Sequence, residues 1–256
     1  MDVRALFDLS GKIALITGST RGLGCTLAQG LAAAGCTVVV NGRQEQPVDE
    51  AVDSLRRTYP HVQGSVFDVR EEGAVSAAIS DIESRVGPLD ILVNNAGIQV
   101  RGPLEECTAA DWRLLVDVNL TGVFLVSQAA ARCMIPRRHG KIINICSVQS
   151  ELARPTIAPY TAAKGGVRNL TRAMAAEWGK HNLQVNGIAP GYFKTEMTRA
   201  LHQDPAFDAW LCARTPAGRW GDPEELVGAT VFLASDASAY VNGHLLFVDG
   251  GLVACV

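Results

Sequence analysis

Short apolar, β-rich runs recur along the chain at Ile13–Thr17, Thr37–Asn41, Val62–Val66, Leu89–Val93, Lys141–Cys146, Gln184–Ala189 and His244–Val248. Between them, Leu23–Ala34, Val48–Tyr59, Glu71–Val86, Asp111–Met134 and Pro159–Lys180 are Ala- and Leu-rich and long enough for helices. This alternation is the rhythm of a parallel sheet in which each strand is followed by a crossover helix. Right-handed crossovers on both faces predict a doubly wound α/β sheet of order 3-2-1-4-5-6-7, with a ligand crevice where the strand order reverses. The rhythm breaks from Gly191 to Asp222, where short helical pieces carry Pro205, Pro216, Tyr192, Phe193, Phe207, Trp210 and Trp220. Residues 191–222 are therefore expected to form a small helical lid over a substrate.

The 256 residues are near the upper size of one hydrophobic core, and no linker-like stretch divides them, so one domain over 1–256 is expected. A hydrophobic content of 48%, a charged content of 19% and a net charge of -3 are ordinary for a soluble protein and give no attraction for nucleic acid. The partner is expected to be a small molecule. The N-terminus carries Asp2 and Asp8 and no basic segment followed by a long apolar run, so neither a signal peptide nor a membrane span is expected, and the location expected is cytoplasmic. Seven scattered cysteines without a C-x-x-C pair read as core-filling thiols rather than a disulfide framework, and five dispersed histidines predict no metal site.

After the first strand comes Thr17-Gly18-Ser19-Thr20-Arg21-Gly22-Leu23-Gly24. Glycines in a strand-to-helix turn let the backbone approach a pyrophosphate at the helix N-terminus, which predicts a dinucleotide cofactor. An Asp or Glu roughly 20 residues further on would hold the ribose diol of NAD. Here Asn41-Gly42-Arg43 stands instead. Asn41 does not repel a 2′-phosphate, and Arg43 and Arg21 can each make charge-assisted bonds to one, with Glu45 nearby to blunt the field, so NADP(H) is expected over NAD(H).

Tyr160 and Lys164 lie at i and i+4 of an expected helix and project from one face. A unit charge ~4 Å from a phenol is worth roughly 4 kcal/mol at an effective dielectric of 20, about three pKa units, so Lys164 is expected to poise Tyr160 near neutrality. Such a group gives a proton to a carbonyl oxygen in one direction and takes it back in the other. Ser147, at the end of the fifth strand, is placed to polarise the same carbonyl, and Asn119 lies in the preceding long helix.

These motifs, with Asn94-Asn95-Ala96-Gly97 and with Pro190-Gly191 followed by Thr195, resemble the short-chain dehydrogenase/reductase family over essentially the whole chain. The resemblance implies a Rossmann-type fold and an NAD(P)-dependent oxidoreductase. It implies Tyr160 as acid/base, Lys164 on the nicotinamide ribose, Ser147 orienting substrate and Asn119 holding a relay water. It further implies Asp68 and Val69 at the adenine, Asn95, Ala96 and Gly97 at the adenosine ribose, and Ile188, Pro190, Gly191 and Thr195 at the nicotinamide. The family commonly forms homotetramers, so a homotetramer or homodimer is expected.

Residues 143–152, 186–197, 214–221 and 243–251 are similar to the gluconate 5-dehydrogenase branch of that family, also called 5-keto-D-gluconate 5-reductases. A sugar-acid substrate needs a cation and polar side chains. Arg101 is the first candidate for its carboxylate, and Gln149, Arg154, Tyr192, Lys194 and Glu151 are candidates for hydroxyls and chain ends. The rival readings are a 3-oxoacyl-(acyl carrier protein) reductase, another polyol or sugar dehydrogenase, and a non-catalytic NADP(H) sensor.

Overall fold

All seven expected strands form, and they pair in parallel as one sheet of order β3-β2-β1-β4-β5-β6-β7. The computed structural model describes residues 2–255, so the end positions Met1 and Val256 of the expected domain lie outside the described residues. The strands are β1 (Ile13–Ile16), β2 (Thr37–Gly42), β3 (Val62–Val66), β4 (Ile91–Asn94), β5 (Gly140–Ile145), β6 (Leu183–Pro190) and β7 (Leu245–Val248). The central strands β1, β4 and β5 are buried along their whole length because both faces are covered, with Asn94, Lys141 and Asn144 the polar exceptions in otherwise apolar runs. Ala14, Ile16, Val38, Val40, Ile91 and Val93 face one core, with Leu27, Leu31, Val48 and Val52. Leu15, Val39, Leu92 and Ile142 face the other, with Ile79, Val126 and Met134. Each such Val, Leu, Ile or Met side chain contributes about 1.5–3 kcal/mol when taken out of water.

The first core lies under helices α1 (Gly22–Ala33) and α2 (Glu45–Arg56), and the second under α3 (Glu72–Arg85) and the helices that follow β4. The single helix expected over Asp111–Met134 is longer and is not uniform. It runs as α4 (Ala109–Val116), a π-helical turn over Asp117–Thr121, and α5 (Gly122–Arg137). Hydropathy alone does not reveal a change of hydrogen-bond register, and such turns occur frequently at functional sites. The run Ala109–Arg137 is long and apolar enough to cross a membrane by composition, yet 56% of its most apolar window is buried inside the fold, where it packs on α3, β4 and β5 as a core helix.

Helix α6 (Ala158–Trp178) follows β5, and the crossover from β6 to β7 holds α7 (Arg199–His202), α8 (Pro205–Arg214) and α9 (Val227–Ala234). Helix α9, too apolar to show a polar face, escapes the sequence pattern but closes the first core with Leu233 and Ala234. Cys36 and Cys146 fill the core as expected, whereas Cys255 is exposed.

Candidate active site

Strand order reverses between β1 and β4, and every chemical motif is found at the C-terminal edge of the sheet. β1 runs into Thr17–Gly24, β4 into Asn95–Gly97, β5 into Ser147 and β6 into Gly191. The first two loops touch because two glycines allow it. Gly18 has φ +61, and a Cβ there would lie 2.9 Å from Ala96 Cα, while a Cβ on Gly24 would lie 2.4 Å from Asn95 Nδ2. Thr17 Oγ1 accepts from the Asn95 and Ala96 N–H groups at 3.0 and 3.1 Å, and Asn95 Nδ2 donates to the Thr17 and Gly18 carbonyls at 2.9 Å. Helix α1 begins in this cradle with no side-chain cap on its N-terminus. Its free N–H groups and dipole fit a pyrophosphate.

Three residues expected at the cofactor turn out to serve the scaffold through their side chains. Asn41 is buried; its Oδ1 accepts from Gly18 N at 3.1 Å, and its Nδ2 donates to the Ser65 and Phe67 carbonyls at 3.2 and 3.1 Å. Ser19 is buried and donates to Ile16 O at 2.7 Å. Asn95 spends its amide on the loop, as described. Between them they hold the glycine turn in shape. Thr20 packs where a Cβ on Gly42 would lie, and Leu23 packs against the first core.

Arg21 and Arg43 are both exposed around the cradle. Arg21 reaches over to Glu196 of the lid at 3.2 Å. Arg43 lies close enough to Asp68 for its charge to be felt there, but the larger influence on Asp68 is Arg70, whose side chain and backbone bind the carboxylate and hold it below the usual carboxylate range. Arg70 was not among the residues expected, because nothing in its neighbourhood in the sequence distinguishes it. Val69 is buried where a Cβ on Gly122 would lie.

The four residues expected as a tetrad lie on three elements: Asn119 in the π-helical turn, Ser147 just after β5, and Tyr160 and Lys164 on α6. Asn119 stands in the π-helical turn, fully buried, with Oδ1 accepting from Ile98 N at 2.8 Å and Nδ2 donating to Ile98 O at 2.9 Å. Its side chain therefore fixes the loop after Gly97. Ser147 caps a short 3-10 turn by accepting from Gln149 N at 3.1 Å. Tyr160 and Lys164 lie on α6, which a buried chain of Asn94, Asn144 and Thr171 ties to β4 and β5, with amide and hydroxyl contacts of 2.8 and 2.9 Å. Asn144 and Thr171 position the site, and in the sequence they look like ordinary strand and helix residues.

The electrostatics of the pair differ from the expectation. Lys164 is buried, donates to Ile145 O at 2.5 Å, and places its ammonium 5.7 Å from the centre of the Tyr160 ring, over its face. Burial pushes the Tyr160 phenol up to about 12, with the Ser147 hydroxyl pulling it back down and Lys164 contributing no resolved lowering. Burial also lowers Lys164 from the ordinary lysine range. Desolvation, which disfavours the phenolate, outweighs the cation in this arrangement.

Beside Tyr160 stands Tyr192, and around Tyr192 lie Arg154, Gln149 and Arg101. Burial raises the Tyr192 phenol, while Arg154, Arg101 and Gln149 all draw it down, Arg154 and Gln149 through hydrogen bonds. Burial and then the neighbouring Arg154 charge lower Arg101, whose Nη2 donates to Met197 O at 3.3 Å. Neither guanidinium pairs with a carboxylate among the described residues. Arg154 Nε and Gln149 Oε1 are buried with no hydrogen-bond partner among those residues. Two other candidates do not join them: Glu151 pairs with Arg168 at 2.5 Å and Lys194 with Asp222 at 3.3 Å.

The segment 191–222, expected as a lid, carries α7 and α8 as short helical pieces. It starts where Pro190 ends β6 and Gly191 packs on Asp249, turns at Thr195 through Thr198, and is closed at its base by a bridge between Phe193 and Gly221. Ile188 is fully buried within β6 and faces the first core. The lid's inner wall is aromatic, with Tyr192, Phe207 and Trp220 rings 5.6 to 6.3 Å apart.

A family profile described as enoyl-(acyl carrier protein) reductase matches residues 18–253. The chain is 58% identical to a gluconate 5-dehydrogenase of Gluconobacter oxydans over 96% of each chain, and 55% identical to a 5-keto-D-gluconate 5-reductase of Escherichia coli over 98% of this chain and 99% of that one. It superposes with a TM-score of 0.97 and 58% identity, over 99% of each chain, on a gluconate 5-dehydrogenase from Burkholderia cenocepacia crystallised with NADP and tartrate. Sheet order, loop motifs and these likenesses establish that the chain belongs to the short-chain dehydrogenase/reductase family of oxidoreductases.

Proposed function

We propose that this protein catalyses the NADP(H)-dependent interconversion of 5-keto-D-gluconate and D-gluconate. The observation that carries the substrate class is the pair Arg101 and Arg154, two guanidiniums without counter-carboxylates among the described residues, close to Tyr192. Like charges gathered with unpartnered polar atoms beside them call for an anionic, hydroxylated ligand. The identities to gluconate 5-dehydrogenases and 5-keto-D-gluconate 5-reductases support the same reading.

NADPH, when bound, supplies the hydride. The glycine cradle and the uncapped start of α1 fit its pyrophosphate, Arg43 and Arg21 suit its 2′-phosphate, and Lys164 suits its nicotinamide ribose. Asp68, Val69, Ala96, Gly97, Pro190, Gly191 and Thr195 are assigned to the same cofactor, as the family resemblance implies. The NADP named with the Burkholderia cenocepacia relative supports this cofactor. In reduction Tyr160 gives its proton to the C5 oxygen while Ser147 holds that oxygen in place; in oxidation Tyr160 takes the proton back from the alcohol. Asn119 keeps the loop after Gly97 fixed behind them.

A second reading, reduction of an acyl-carrier-protein thioester, is favoured by the description of the matching profile. A thioester offers no carboxylate beside its reacting carbonyl and leaves Arg101 and Arg154 unanswered. Purified protein is expected to oxidise NADPH with 5-keto-D-gluconate and not with an acetoacetyl thioester. The opposite pattern overturns the assignment. Equal activity with NADH and NADPH removes the cofactor preference. The cytoplasm is proposed as the location, supported by seven unpaired cysteines. A homotetramer or homodimer is proposed too, supported by exposed Trp112, Leu114 and Phe124 along α4 and α5.

A further inference from the structure

Arg154 leaves the loop between β5 and α6, yet its guanidinium rests on the lid. Its Cζ lies 5.6 Å from the centre of the Phe207 ring on α8. Phe207 is itself fixed by neighbours: Trp210 at 5.2 Å, Tyr192 at 5.6 Å and Trp220 at 6.3 Å between ring centres. Trp220 is buried, and its indole N–H donates to Asp208 at 2.7 Å, which ties the aromatic wall back to α8.

A guanidinium whose Nε is buried without a partner, and which no carboxylate neutralises among the described residues, is costly to keep out of water. The negative face of an aromatic ring and the Tyr192 hydroxyl are what offset that cost here. We propose that Phe207 is a positioning residue that holds Arg154 in place for the substrate carboxylate, so that the lid contributes to the choice of an acid over a neutral sugar. This rests on the sugar-acid reading above. The ring touches the cation and not the reacting atoms, so its removal weakens capture of the acid and leaves the chemical step intact.

The test compares 5-keto-D-gluconate with its neutral primary amide, using Phe207→Leu and Phe207→Met, which keep apolar bulk without a ring, and Phe207→Tyr, which keeps the ring. The ring-less variants are expected to raise KM for the acid about tenfold, within what a desolvated cation–π contact supports. Their KM for the amide, their kcat and their KM for NADPH stay within about twofold, because Leu and Met keep apolar bulk against Trp210, Tyr192 and Trp220. Phe207→Tyr restores the acid KM. A purely structural role for the ring moves acid and amide together, and that result overturns the proposal, as does a Tyr variant no better than Leu. Thermal melts of both ring-less variants identify any loss through unfolding, and the variant that melts like wild type decides the matter. Should wild type itself not distinguish acid from amide, the sugar-acid reading falls first. If Arg154→Ala loses the distinction and the ring-less variants keep it, only the role of Phe207 falls.

Discussion

Around the glycine loop, the polar side chains of Thr17, Ser19, Asn41 and Asn95 find partners inside the chain, whereas beside Tyr192 the buried atoms Arg154 Nε and Gln149 Oε1 find none among the described residues. The cofactor end is thus complete as a scaffold and offers its ligand an uncapped helix and exposed arginines. Under the proposed function, the group beside Tyr192 is completed by the substrate. An internally satisfied polar network marks rigidity, and an unsatisfied one marks the place where a ligand supplies the missing bonds.

The largest effect expected is at the chemistry between these ends. Tyr160→Phe should lower kcat by about 10²–10⁴-fold while leaving NADPH affinity unchanged, as stopped-flow turnover and a fluorescence titration would show. The phenol's protonation sharpens the point. Because burial disfavours the phenolate and moves Tyr160 up to about 12, its proton stays on through neutral pH. Wild type and Tyr160→Phe without cofactor should then show equal tyrosinate absorbance up to about pH 10, the ordinary tyrosine value. A difference signal near pH 7 would show that Lys164 reaches the phenol after all.

Next comes the unsatisfied end. Arg154→Ala should raise KM for 5-keto-D-gluconate about 10–150-fold, the equivalent of a charge-assisted hydrogen bond of about 1.5–3 kcal/mol, with KM for NADPH unmoved. An unchanged KM for the sugar acid would dissolve the contrast between the two ends. At the satisfied end, two neighbours in sequence should behave differently. Arg43→Ala should raise KM for NADPH about tenfold and spare NADH, as loss of a charge-assisted phosphate contact requires. Asn41→Ala, acting through Gly18, should raise both by similar factors and cost about 1–3 kcal/mol in urea denaturation, because it orphans buried backbone groups. If Asn41→Ala affects NADPH alone, its side chain meets the cofactor directly.

The smallest effect expected spans both regions. Arg21 and Glu196 join the glycine loop to the lid at the surface, with side chains 79% and 57% exposed. Exposed pairs of this kind are weak and salt-screened, so Glu196→Gln should lower KM for NADPH by only about twofold, an effect lost near 1 M salt.

The strand runs, the order of the sheet and the glycine turn after β1 were legible in the sequence, because each depends on short-range periodicity or on residues fixed to strand ends. Tertiary structure alone decided which charges are free. Arg101, Arg154 and Tyr192 come from three different loops, and nothing local says that Glu151 is taken by Arg168 and Lys194 by Asp222 while those two arginines meet no carboxylate among the described residues. Nor does an apolar helix pattern announce a π-helical turn under Asn119, or the sequence near Asn41 announce that its amide faces inward. Hydrophobic pattern repeats within a few residues of itself, but the pairing of a polar group is settled by whichever distant segment the fold brings within about 3 Å of it.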